Sequence, residues 1–292
     1  MFSLTSAINE LYGISEAYAK KLAKLEIKTV GDLLTHYPSR YEDYRLKSDM
    51  VKLQTGEKVT VTGTVKKFST IRTRLRKTII IVTVEDNTGT ADLIFFNQPY
   101  LEKIFKEGLV FSISGIVGEW QKKKAFIGPD YEEMKEGKEL LHTGRLVPIY
   151  PETAGISSKW LRGKIAFILQ HCSYLLNEEL NNKIVRTNNL LGYADALRQI
   201  HFPDNEMVLK TAQYRLSFEE LFYLRLASFK RKEKQQRTLT NNKFKIQEYK
   251  ESIKKFMDNL PFQLTIDQRK AVGEILTDLA KETPMNRLLQ GE

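Results

Sequence analysis

The amino-acid sequence predicts a mixed α and β chain in which a small β-barrel lies between two helical regions. Three observations carry this. Apolar residues recur at helical spacing over residues 8–37, alternate with a period of two from Glu57 to Glu132, and return to helical spacing beyond Pro148 and Pro151.

At 292 residues the chain has room for about two domains of roughly 150 residues each, and its 41% hydrophobic content suffices for packed cores. No run approaches the ~18 consecutive apolar residues of a membrane span. The opening stretch MFSLTSAINELYG lacks the basic region and apolar run of a secretory signal. These features point away from a membrane partner and toward a cytoplasmic protein, as does Cys172, a lone thiol with no internal disulfide partner. The histidines (His36, His142, His171, His201) are scattered, and only His171 stands beside Cys172, so no metal site is expected. The net charge of +10 implies a polyanionic partner, most often nucleic acid.

Residues 8–37 read as two short amphipathic helices. Ala19, Leu22 and Leu25 share one face, and Val30, Leu33 and Leu34 form the next stripe. Thr29 and Asp32 make a capping box with aspartate in place of the usual glutamate, and Pro38 ends the second helix. Gly13-Ile14-Ser15 resembles the turn of a helix-hairpin-helix motif, whose N–H groups can hold a phosphate, with Ser15 where a second glycine is usual. A small packing module accounts for the same residues as well as a direct DNA contact does.

The period-two region then yields strands at 59–65, 78–86, 90–97, 108–120 and 123–132, with a short proline-opened helix at 99–106. Three strands, a helix and two strands is the order of an OB-fold, a five-stranded Greek-key barrel that commonly binds oligonucleotides. Farther on, Ser157 and Ser158 open a helix carrying Trp160, Lys164, Ile165 and Ile168. Ser217 and Glu220 read as a capping box starting a long helix whose basic end suits its macrodipole. The last segment reads as a helix beginning after Thr265, a loop, and a buried strand through Leu288 and Leu289.

Charge is concentrated where an OB-fold grips its ligand. Lys66, Lys67, Arg72, Arg74, Arg76 and Lys77 fall in the hairpin joining the first two barrel strands, and Lys122, Lys123 and Lys124 in the turn joining the last two. Phosphate contacts of this kind give salt-sensitive affinity without sequence information. Strand parity places Phe95, with Ala91 and Leu93, inside the barrel, and turns Phe96 outward. An outward ring beside basic loops can stack on a base, with Tyr100 as a second ring on the rim. Packing of Phe96 against the neighbouring helical region is the competing reading.

The segments PSRYEDYR (38–45), LIFFNQPYLEK (93–103), LVPIYPETAGISSKWLR (146–162), HFP (201–203), LPFQLTIDQRKAV (260–272) and the final MNRLLQGE run in order along nearly the whole chain. Together they resemble the N-terminal part of the RecG family, bacterial ATP-dependent branched-DNA helicases of superfamily two. The resemblance implies a helix-hairpin-helix-like segment over 1–45, an OB-fold wedge over 46–143, a helical linker over 144–255, and the start of a RecA-like α/β motor over 256–292. It implies that the wedge splits the parental duplex at replication forks and Holliday junctions during recombination and repair, by fork reversal and branch migration. Phe96 and Tyr100 would then stack on bases at the branch point, and the full-length protein would use ATP and Mg²⁺.

PFQLTIDQ resembles the adenine-reading Q motif of such motors. Gln268 would pair with the adenine N6 and N7 edge, Phe262 would lie near the base, and Thr265 would cap the helix. An N-cap followed by an ordinary surface glutamine accounts for the same residues. Gly291 matches the first glycine of the phosphate loop G-x-x-x-x-G-K-[ST]. A family member continues past Glu292 with the loop lysine and the Mg²⁺-binding hydroxyl. The chain is therefore expected to stop inside that loop, to bind DNA, to hold no nucleotide tightly and to have no ATPase activity alone.

Rival readings are a stand-alone OB-fold protein binding single strands, an RNA- or tRNA-binding accessory domain, and a protein-interaction module. The C-terminal segment counts against the first and the loop charges against the last. With no carboxylate pair, Ser-His-Asp arrangement or metal set legible, no catalytic residue is assigned.

Overall fold

The computed structural model describes residues 3–72, 77–137, 139–237 and 244–291. They fall into two compact units, Met1–Leu216 and Ser217–Glu292. The first unit begins with helices α1 (Glu16–Leu22) and α2 (Val30–Thr35) and strand β1 (Arg40–Asp43). Strands β2 (Lys58–Arg72), β3 (Thr78–Glu85), β4 (Thr90–Phe96), β5 (Val110–Trp120), β6 (Lys123–Ile127), β7 (Asp130–Glu133) and β8 (Leu146–Ile149) follow. Helices α3 (Ser158–His171), α4 (Asn182–Thr187), α5 (Tyr193–His201) and the first turns of α6 (Glu206–Arg237) complete it. The remainder of α6, with α7 (Lys250–Asp258) and α8 (Ile266–Leu279), makes the second unit.

Strands β2 to β7 form an OB-like sheet. The pairings β2–β3, β3–β4, β4–β6, β6–β5 and β5–β2 run in a ring, and β7 adds to β5. Alternation sends Val59, Val61 and Val65 of β2, Ile80, Val82 and Val84 of β3, and Leu93 and Phe95 of β4 inward, all buried. Gly63 falls in that inward set, where any Cβ would collide with the Met50 methyl. At one end Phe95, Phe105, Phe111 and Tyr131 pack ring to ring, with centroids 4.5 to 5.8 Å apart for Phe105–Phe111, Phe105–Tyr131, Phe95–Tyr131 and Phe95–Phe105. The single last strand expected over 123–132 is two strands, β6 and β7. Gly128, at φ +60°, and Pro129, which has no N–H to donate, break the ladder between them.

Residues before and after the sheet share one core. Leu22, Val30, Leu33 and Leu34 of α1 and α2 pack with Leu161, Ile165 and Ile168 of α3 and Leu197 of α5. The β1–β8 ladder, from Arg40↔Ile149 to Asp43↔Leu146, ties the two segments by backbone hydrogen bonds. The expected capping box forms: Asp32 N–H donates to Thr29 Oγ1 (3.1 Å) and Thr29 N–H to Asp32 Oδ2 (2.9 Å). The turn at Gly13 (φ +73°) lies against α3, where Lys164 Nζ donates to the Tyr12 carbonyl at 2.9 Å.

His201 lies wholly inside this helical core. The Leu34 carbonyl can only accept, so Nε2 carries the proton and donates to it at 2.8 Å, while Tyr150 Oη donates to Nδ1 at 2.8 Å. Burial holds the imidazole pKa down at about 4, against an ordinary 6.5. The unfolded chain therefore takes up this proton near pH 6.5 and the folded chain only near pH 4. The stabilisation is complete above pH 6.5 and is lost as pH falls toward 4, by about 2–3 kcal/mol between pH 7 and 4.5. His201→Gln, which cannot charge, is expected to be less stable at pH 7 yet to lose that much less on acidification. Equal acid sensitivity of the two proteins in urea titrations would refute the assignment.

Two expectations beyond the sheet change. The long helix does not start at Ser217 but at Glu206, with Asn205 Oδ1 accepting from Val208 N–H at 3.0 Å. No glycine or proline lies between Glu206 and Ser217 to interrupt it, so the Ser217–Glu220 pair falls inside a continuous helix. The strand expected through Leu288 and Leu289 is absent, and both side chains are exposed. A strand requires a partner for its backbone groups, and none of the described residues of the second unit forms one. No helix among the described residues is long and apolar enough to cross a membrane. No described group of three or more His, Cys, Asp or Glu side chains is placed to hold a metal ion.

Candidate nucleic-acid interface

The rim is built where β4 ends. Across β3 the register aligns Ile71, Ile79 and Phe96, so Phe96 stands level with the outer end of the β2–β3 hairpin, two strands or roughly 10 Å from Ile71. Phe95 is 2% exposed and Phe96 is 43% exposed, the opposition that parity predicts. Ile94, on the outward set, is nevertheless buried, so toward the rim that face reopens only at the last residue of β4. Asn97 (φ +55°) then turns the chain, with its N–H donating to the Thr78 carbonyl (2.8 Å) and its Oδ1 accepting from Thr78 N–H (3.0 Å). A one-turn helix at Pro99–Lys103, anchored by buried Leu101, leaves Tyr100 exposed, its Oη donating to Gln98 Oε1 at 2.7 Å.

The cations are arranged differently from the sequence expectation. Lys66, Lys67 and Arg72 belong to strand β2 itself, because pairing with β3 continues to Arg72↔Thr78. A bulge between Val65 and Lys67 suspends the alternation, so Lys66 and Lys67 are both exposed where a regular strand would turn one inward. Lys66 pairs with Glu85 (2.5 Å), an exposed contact worth about 0–1 kcal/mol that a phosphate can replace. Arg74 and Arg76 lie outside the described residues, and Lys77, next to β3, is exposed. Gln121 and Lys122 (φ +50° and +64°) form the β5–β6 turn. Exposed Lys123 pairs with Trp120 across it. Lys124 is directed elsewhere, its Nζ donating to the Leu53 carbonyl.

Trp120 escaped the sequence reading. Its ring stands edge-on to Phe96, with centroids 6.0 Å apart and an interplanar angle of 68°. The contact joins the ends of β4 and β5, which the parallel β4–β6 ladder brings together. An aromatic two residues before a lysine run was the available signal.

In the second unit, Thr265 and Gln268 form a reciprocal capping box at α8. Gln268 N–H donates to Thr265 Oγ1 (3.2 Å), and Gln268 Oε1 accepts from Thr265 N–H (2.9 Å). Phe262 lies in a cleft with Met257, Leu260 and Arg269, which neither Gln268 nor Gly291 lines.

The sequence model of the RecG wedge domain matches residues 7–170. The ATP-dependent DNA helicase RecG of Thermotoga maritima is 35% identical over 99% of this chain and 36% of its own length. That of Synechocystis is 32% identical over 95% of this chain and 35% of its own. The chain thus spans little more than a third of these curated relatives. Among solved structures, one of RecG bound to a three-way DNA junction matches all of this chain and 40% of its own, at 31% identity and a TM-score of 0.73. With over half its length matched by the family model, the chain belongs to the RecG wedge domain family.

Proposed function

We propose that this chain is the branched-DNA recognition and strand-separating module of an ATP-dependent DNA helicase acting in recombination and repair. The carrying observation is the exposed Phe96 ring between two basic hairpins. The likeness to a RecG solved on a three-way junction supports it. Phosphates of the two duplex arms meet Lys66, Lys67, Arg72, Arg74, Arg76 and Lys77 on one side, and Lys122 and Lys123 on the other. Phe96, backed by Tyr100, covers the base exposed where strands part, and so stabilises the open fork relative to the closed duplex.

The domain boundaries 1–45, 46–143, 144–255 and 256–292, the five-stranded OB-fold ring and the RecA-like character of the last segment belong to this reading. So does a place in the bacterial cytosol beside the DNA. ATP and Mg²⁺ are assigned to the whole helicase. The residues here fit a nucleotide only in part: the Gln268 carbonyl is engaged with Thr265, and Phe262 lies in a cleft that Gln268 does not line.

The test is binding of the purified chain to a fork, a three-way junction, single strands, RNA and plain duplex at several salt concentrations. Fork and junction should bind more tightly than any unbranched form. Alanine at Lys67, Arg72 and Lys123 should flatten the salt dependence by up to about three units, roughly one per lost phosphate contact. Equal affinity for single strands and forks, or an unchanged slope, contradicts the reading.

A further inference from the structure

Resting on Phe96 as the base-stacking ring, we propose that Trp120 is its positioning residue. The indole fixes the Phe96 ring at the rim and couples it to the basic β5–β6 turn. Phe96 is the last residue of its strand, followed by a left-handed Asn97, so its backbone alone leaves the ring free to change rotamer. The Trp120 edge, at 6.0 Å and 68°, supplies the missing wall in a favoured aromatic geometry. A ring already held in place loses less freedom when a base lands on it, which is how a neighbour that never touches DNA raises affinity.

Trp120 is also poorly explained as a residue chosen for folding. Its Nε1–H is buried with no hydrogen-bond partner among the described residues. An unmade buried bond opposes stability, and phenylalanine would offer a ring edge without it. On the far side, Trp120 pairs with Lys123 across a turn whose two residues are both left-handed. A phosphate drawn to Lys122 or Lys123 therefore bears on the same short hairpin that seats the Phe96 ring.

The experiment measures fork and duplex affinity for Trp120→Ala, Trp120→Phe, Phe96→Ala and the Trp120→Ala, Phe96→Ala pair. Trp120→Ala should weaken fork binding about 3- to 10-fold, the range of aromatic pairing energies, and leave duplex binding unchanged. Trp120→Phe should restore most of the loss. The double variant should bind forks no more weakly than Phe96→Ala, because Trp120 acts through that ring. In a Trp160→Phe background, Trp120 emission should change more on adding fork than on adding duplex, a readout that leaves Trp120 and Phe96 intact. Equal losses on fork and duplex, additive losses in the double variant, or unchanged emission overturn the proposal. A fork defect in Phe96→Ala with an unaffected Trp120→Ala overturns it alone. An unaffected Phe96→Ala overturns the stacking reading and this one with it.

Discussion

Phe95→Ala is expected to lower folding stability by about 3–5 kcal/mol, while its neighbour Phe96→Ala leaves the thermal melt nearly unchanged and weakens fork binding. The Phe95 ring is 2% exposed and packs against Phe105 at 5.8 Å and edge-on to Tyr131 at 5.6 Å. Truncation leaves a hole in a cluster whose other rings are fixed on β5, β7 and the loop before β5, which cannot fully collapse to fill it. Phe96 is 43% exposed, with Trp120 against one side of its ring. Its loss removes little buried surface but deletes the ring proposed to stack on a base, at an expected cost of about 1–3 kcal/mol on forks. Plain duplex, whose bases already stack on one another, should be nearly indifferent. Thermal melts measured together with fork and duplex affinities separate the two roles. If Phe96→Ala melts the domain while Phe95→Ala spares it, the parity assignment is reversed. If neither alters fork preference, the stacking role fails.

That opposition was legible in advance because a strand's period is fixed by the backbone, and one buried neighbour decides the next residue's direction. The Thr29–Asp32 capping box was legible for a related reason: all its atoms lie within four residues. The misses have local causes of another kind. Gly128-Pro129 carried the break between β6 and β7, but the apolar residues on either side kept an apparent period of two. Ser217 and Glu220 have capping-box spacing, and only the continuous helix behind them shows that the box is unused. Trp120 meets Phe96 through a parallel ladder between strands distant in sequence, which no local pattern reports. Polar side chains buried by remote carbonyls were equally silent. His201 finds Leu34, 167 residues away, and Arg215 finds Leu191, 24 residues away.

Arg215→Ala is expected to destabilise the first unit by about 3–5 kcal/mol, the range for breaking a buried ion pair. The Arg215 side chain is fully buried, with Nη2 donating to Glu178 Oε1 at 2.7 Å and Nε to the Leu191 carbonyl at 2.8 Å. Its guanidinium also lies 5.9 Å from the Tyr193 ring centre. Glu178 is knotted further, accepting from Leu180 N–H and Tyr193 N–H, each at 3.0 Å. One arginine thereby fastens the start of α6 to the loop before α4 and to the N-terminus of α5. Removing it opens a cavity, strands the Leu191 carbonyl and leaves the Glu178 carboxylate, among the described residues, with the backbone donors Leu180 N–H and Tyr193 N–H. Arg215→Lys should recover only part of the loss, since one ammonium cannot reproduce a fork reaching two acceptors in fixed geometry. Glu178→Ala should also destabilise, and the double variant should lose clearly less than the two single losses added, because both changes break the same contact. Urea midpoints of the four proteins measure this. Strict additivity, or an Arg215→Ala loss under about 1 kcal/mol, would class the contact with exposed surface pairs, against the complete burial of its arginine.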